Sequence, residues 1–263
     1  MIGRQTRLWS KMLRVWGRRA TRDLGSGRAL GGAMYSALQP PSQDAVQAAG
    51  LRVGVLGLGA IGTILFTRLG LLAASGKTEE LQVDAFVKPQ QFDAWAGKER
   101  PQLSLQGQGH EVLAFQRSPN DKVATALNAP SVRVRTLETA EDDGDDALDV
   151  LLVATKAYDS AGVIRELRAR NKHLLKDDAL CVLLQNGLGQ VPEEEGLSSA
   201  QDRWQFANGV TFVGGRVQEF GSVLTSGLDA GVTYLAPCAG SDVVSSRQKM
   251  KSLAQVFRAA STR

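Results

Sequence analysis

Cysteine and histidine are scarce in this chain of 263 residues, with two of each. Cys181 and Cys238 lie far apart, with no CxxC pair and no histidine cluster near either. That excludes a disulfide framework and a cysteine-based zinc site, so both read as small buried apolar residues in a reducing, intracellular setting. His110 and His173 stand among polar neighbours without triad partners, and neither is assigned a catalytic role. No stretch of about eighteen uninterrupted apolar residues occurs, which argues against a membrane-spanning helix. The acidic run Glu141, Asp142, Asp143, Asp145 and Asp146 has no fixed ligand geometry, so it reads as a solvated loop and no metal is expected. No internal repeat is visible.

Positive charge is present but localised. Of the net +4, residues 1–30 hold eight basic side chains against the single acid Asp23, leaving the remainder at −3. A nucleic-acid footprint on the folded part is therefore not expected. In the basic segment Leu8, Trp9, Met12, Leu13 and Trp16 share one face of a helical wheel, and Arg4, Arg7, Lys11, Arg14 and Arg18 fall largely on the other. Arginine-rich, acid-poor and followed by small and hydroxyl residues, it has the chemistry of a mitochondrial transit peptide. A plain basic tail on a cytoplasmic protein is the other reading. Gln39, Pro40, Pro41 and Ser42 mark a linker. Residues 1–50 are thus expected to be presequence and linker, residues 51–263 the folded domain, and the mature form to have no membrane partner.

From Leu51 an apolar strand through Val53, Val55 and Leu56 runs into Gly57, Gly59 and Gly62, and Ile64, Leu65, Leu69 and Leu72 continue at helical spacing. The first glycine permits a tight turn, the second lets a pyrophosphate approach the backbone, and the third lets helix press on strand. The helix N-terminus then offers free N–H groups and partial positive charge. A glycine turn in another α/β protein, such as a methyltransferase, fits the spacing less well in this setting. The next strand, through Val83, Ala85, Phe86 and Val87, ends at Lys88, where NAD-binding folds carry an acid for the ribose 2′-hydroxyl. A cation there suits the 2′-phosphate of NADP. Asp84 or Asp93 is the acid if the register differs, and an exposed strand-end lysine is the bland alternative.

Beyond an irregular stretch with short strands near Leu103 and Val112, Asp149 to Thr155 reads as a buried parallel strand, followed by a helix with Val163, Ile164 and Leu167. A further strand ends at Gln185 and Asn186. This alternation predicts an α/β, Rossmann-like doubly wound parallel sheet, with ligands at the carboxyl ends of its strands, where Lys156 and Asn186 fall. The glycine-separated pieces from Ala207 to Pro237 predict added antiparallel strands closing one side, and Val243 to Phe257 a last helix.

Four features in one order carry a family resemblance: GLGAIG at Gly57 to Gly62, Lys88, TKAYD around Lys156, and QNGLG around Asn186. Together they resemble the ketopantoate reductases (2-dehydropantoate 2-reductases), over roughly Leu51 to the end. The resemblance implies hydride transfer from NADPH to the C2 ketone of a small 2-keto acid, 2-dehydropantoate, giving pantoate. It implies that Gly57, Leu58, Gly59, Ala60, Ile61 and Gly62 bind the diphosphate and that Lys88 meets the 2′-phosphate. Lys156 would line the cofactor pocket, Asn186 touch cofactor and substrate, and Gly215 pack near the nicotinamide. The family's proton donor is a lysine of an all-helical C-terminal domain, which is expected to be missing here, so no catalytic residue is assigned in this chain. NADPH binding is expected to exceed turnover. A non-catalytic NADP-binding protein left by truncation and another NADP-linked hydroxyacid dehydrogenase are the alternatives.

Overall fold

Segments whose side chains are apolar on both faces have nowhere to go but between two layers, and four such runs make the centre of this molecule. The computed structural model describes residues 50–78, 81–107, 109–117, 123–139, 147–184, 204–226, 232–238 and 243–261, all within the compact unit Val46–Arg263. The basic segment, the linker at Gln39 to Ser42, the acidic run at 141–146 and Asn186 lie outside the described residues.

Strands β1 (Arg52–Leu56), β2 (Gln82–Val87), β7 (Leu148–Val153), β8 (Leu175–Leu184), β6 (Ala129–Thr136) and β9 (Gln205–Thr211) run parallel in the order β6-β2-β1-β7-β8-β9. Ranked within this set, the order is 3-2-1-4-5-6, the doubly wound arrangement, with its switch point between β1 and β7. Alternation sorts the side chains. Val53, Val55, Val83, Ala85, Val150, Leu152, Leu180 and Val182 share one core cluster with helices α1 (Ala60–Ala74) and α4 (Val243–Ser261). Leu56, Phe86, Leu151, Val153, Cys181 and Leu183 join Ile164 and Leu167 of α3 (Ala157–Arg170) in a second cluster. One further helix, α2 (Pro89–Ala96), follows β2.

Two sequence expectations change. The stretch after Arg117 holds regular structure, β5 (Val123–Ala126) and β6. β6 escapes an apolar reading because Arg133 and Arg135 alternate with its valines and are matched by charge: Asp84 of β2 accepts from Arg133 at 2.8 and 3.0 Å and from Arg135 Nη2 at 3.3 Å. The glycine-rich pieces, in turn, do not all close one side. β9 is the sixth parallel strand, with β12 (Thr233–Pro237) antiparallel beside it, whereas β10 (Gly214–Glu219) and β11 (Ser222–Ser226) lie at the opposite end. There β11 pairs with β3 (Gln102–Gln106), which leads through β4 (His110–Arg117) and β5 back to β6.

Only Phe212 and Val213 separate β9 from β10, yet these strands stand at opposite ends of the strand order. The sheet must therefore curl, and what it curls around is α1. That helix buries Ile64, Leu65, Phe66, Leu69 and Leu72 around its circumference, with the parallel strands against one side and β3, β10 and β11 against another. Arg68 of α1 donates to the carbonyl of Ala260 at 3.3 Å, bracing the last turn of α4.

Candidate functional site

The chain leaves β1 through Gly57, whose φ of +90° suits glycine and whose N–H donates to Phe86 O at 3.0 Å. Leu58 turns inward and is buried, and its carbonyl accepts from Thr63 Oγ1 at 3.2 Å. Gly59 caps α1 in extended conformation, and a Cβ placed on it would meet nothing within 4 Å. Gly62 is the reverse case, because a Cβ there would run into the Gly57 carbonyl oxygen and stand 3.2 Å from Ala154 Cβ. Helix α1 therefore rests directly on the β1 turn and on the end of β7.

The first turn of α1, beginning at Ala60 and Ile61, has no acidic residue and no side-chain cap. Its N–H groups stay open, with the positive end of the helix behind them and bare backbone in front. Open N–H groups at the positive end of a helix are the setting in which proteins bind phosphate groups.

Two further elements flank it. Lys88 follows β2 and caps α2; its carbonyl accepts from the amides of Gln91 and Phe92, each at 3.0 Å, while its exposed ammonium has no ion-pair partner among the described residues. The competing acids are elsewhere. Asp84 is buried within β2 between Arg133 and Arg135, and Asp93 lies on α2 with its carboxylate 3.7 Å from Arg117. On the other flank Thr155 follows β7, its methyl 3.1 Å from where a Gly57 Cβ would be. Lys156 caps α3, and its carbonyl accepts from Ser160 Oγ at 3.1 Å.

Gly215 lies on β10 against the first turn of α1, where a Cβ would come 2.7 Å from Ile64 Cδ1 and 3.4 Å from Ala60 Cβ. The structure thus gathers Gly57 to Gly62, Thr155, Lys156 and Gly215 about one helix end, with Lys88 one strand away. β8 ends at Leu184, two residues before Asn186. Thr155 and Tyr158 join this region without being marked by any glycine or strand-end charge, the aromatic residue inside TKAYD being their one signal in the sequence. The two cysteines are free and buried as expected, and burial pushes the Cys181 thiol up to about 12. A depression of about 750 Å³ lined by Arg52, Thr78, Gln82 and Arg133 lies at the amino ends of the strands, away from this site. No described helix is long and apolar enough to cross a membrane.

The family model for ketopantoate reductase PanE/ApbA matches residues 53–240. No curated protein matches the sequence. Solved structures share the fold. The 2-dehydropantoate 2-reductase from Methylococcus capsulatus is 19% identical with a TM-score of 0.50, over 80% of this chain and 55% of that one. The enzyme of that name from Porphyromonas gingivalis W83 is 16% identical with a TM-score of 0.51, over 80% and 62% respectively. D-mandelate dehydrogenase in a ternary structure with NADH and anilino(oxo)acetate is 17% identical, also at 0.51, over 79% and 55%. The chain spans 55–62% of the length of these structures.

Proposed function

Since this chain belongs to the ketopantoate reductase family, we propose that it is an NADPH-dependent oxidoreductase for a small 2-keto acid, with 2-dehydropantoate as substrate and pantoate as product. The observation that carries this reading is the uncapped, acid-free start of α1 behind an open Gly59. The loop from Gly57 to Gly62, with Leu58, Ala60 and Ile61 between the glycines, holds the diphosphate through its open backbone N–H groups, Gly57 making the turn while its own N–H is taken by Phe86 O. Lys88 supports the preference for NADPH, because a cation after β2 attracts a 2′-phosphate where an acid would grip a free hydroxyl. Lys156 lines the crevice and draws anions to it, Asn186 orients ribose or substrate through its amide, and Gly215 keeps β10 close to the helix end. When bound, the cofactor supplies a hydride to the ketone carbon. The described residues provide placement: an anion seat at the start of α1, two flanking lysines and a helix packed on the β1 turn through Gly62.

Calorimetric titration with NADPH and NADH, followed by NADPH oxidation in the presence of 2-dehydropantoate, tests the proposal. NADPH should bind about tenfold tighter or better, the worth of one charge-assisted contact of roughly 1.5 kcal/mol. Binding of neither nucleotide would end it. The mandelate dehydrogenase likeness, with NADH in that structure, favours a second reading in which NADH and an aromatic 2-keto acid are preferred. Turnover of such an acid with NADH, and none with 2-dehydropantoate, would select it.

A mitochondrial address for the mature protein is proposed from the basic amphipathic pattern of residues 1–30. A fluorescent fusion that stays cytosolic with this segment in place would refute it.

A further inference from the structure

Tyr158 is not explained by packing. It is the most exposed large hydrophobic side chain among the described residues, at 76%, yet it sits in the first turn of α3 at the carboxyl end of β7. Lys156 Nζ stands 5.8 Å from the ring centroid over one face, and the other face is free among the described residues.

Charge decides which part of a dinucleotide meets that free face. The first turn of α3 carries Asp159, so this helix end disfavours phosphate, whereas the first turn of α1 carries no acid. The diphosphate therefore belongs on α1, and Thr155, packed beside Gly57, puts the start of α3 at its flank. On the opposite flank, Lys88 marks the ribose that bears the 2′-phosphate. β2 and β7 are the two neighbours of β1, so their ends are separated by two strand spacings, about 10 Å. One adenosine group bridges such a gap, with its ribose toward Lys88 and its base toward Tyr158.

We propose that Tyr158 is the stacking platform for the adenine ring of the cofactor, held in orientation by Lys156. This rests on the dinucleotide reading above and adds a residue that neither the glycine loop nor strand-end chemistry identifies. The test is calorimetric titration of the full chain, Tyr158→Ala and Tyr158→Phe with NADPH and with 2′-phospho-ADP-ribose, which keeps the adenine and the 2′-phosphate but lacks nicotinamide. Tyr158→Ala should weaken both ligands by one common factor, between about fivefold and a hundredfold, the range of base–aromatic stacking. Tyr158→Phe should bind both as the unsubstituted protein does. An Ala variant that binds both ligands normally overturns the inference, as does one that loses NADPH but keeps the fragment, since the ring would then serve the nicotinamide half. A Phe variant as weak as Ala also overturns it, by assigning the effect to the hydroxyl. If the unsubstituted protein binds neither ligand, the dinucleotide reading fails and this inference with it; normal binding beside an unaffected Ala variant fails this inference alone.

Discussion

Gly59 and Gly62 are three residues apart, and each is irreplaceable for a different reason, which substitution should separate. A Cβ on Gly59 points into open space from an extended backbone, so Gly59→Val should cost no more than the loss of a favourable N-cap residue, about 1 kcal/mol, while covering the N–H groups and abolishing NADPH binding. A Cβ on Gly62 meets the Gly57 carbonyl, so Gly62→Val should cost about 1–3 kcal/mol in a urea unfolding curve. Equal stability losses for the two would show that the loop is purely structural. At the other flank, Lys88→Glu should weaken NADPH far more than NADH in the same titration, and an equal loss would remove the role given to Lys88. Cys181 belongs to neither purpose. With its thiol pushed up to about 12 by burial, it stays protonated near neutral pH and should be alkylated only after unfolding.

The pairing of β2 with β6 shows how an element can be buried without being apolar. Asp84 and Arg135 are nearly inaccessible, with side-chain exposures of 2% and 4%, and Arg135 also lies 5.2 Å from the Phe86 ring centroid. Asp84→Ala would take the carboxylate from the buried guanidinium and should cost about 3–5 kcal/mol by chemical denaturation; a loss below about 1 kcal/mol would mean that the other contacts of Arg135, or solvent, compensate its charge instead. The same pairing explains what could be read in advance. β1, β2, β7 and β8 announce themselves because both their faces are apolar, or nearly so, within a few residues. β6 does not, because Arg133 and Arg135 share a carboxylate, that of Asp84, which lies 49 and 51 positions away in the sequence. Likewise the pieces around Gly209 and Val223 declare themselves as strands, but their partners are chosen by the curl of the sheet, which no local pattern encodes. In the site, the glycine loop and Lys88 are legible since each depends on its own strand. The contacts of Gly215 with Ile64 and of Thr155 with Gly57 are not, because they arise only when separate elements meet.

At the scale of the whole molecule, α1 is both the seat of the proposed cofactor and the post around which the sheet is wound, so binding and folding should be coupled. Phe66, fully buried on α1, stacks on Phe115 of β4 with ring centroids 6.3 Å apart, and Phe115 meets Trp95 of α2 at 5.2 Å. This aromatic chain ties the parallel core to the added strands. Phe66→Ala should cost about 3–5 kcal/mol and lower stability throughout, not in the added strands alone. Trp95 lies in the cluster on the α1 side of the sheet and Trp204 in the cluster on the α3 side, so tryptophan fluorescence samples both layers while far-UV circular dichroism follows the backbone. The two signals should report one coincident unfolding transition in the original protein and in the variant. NADPH at a hundred times its dissociation constant should stabilise that transition by about 2.7 kcal/mol. Two separated transitions, with only the first moved by NADPH, would instead show that the wrapping strands and the parallel core unfold independently, and that α1 does not unite them.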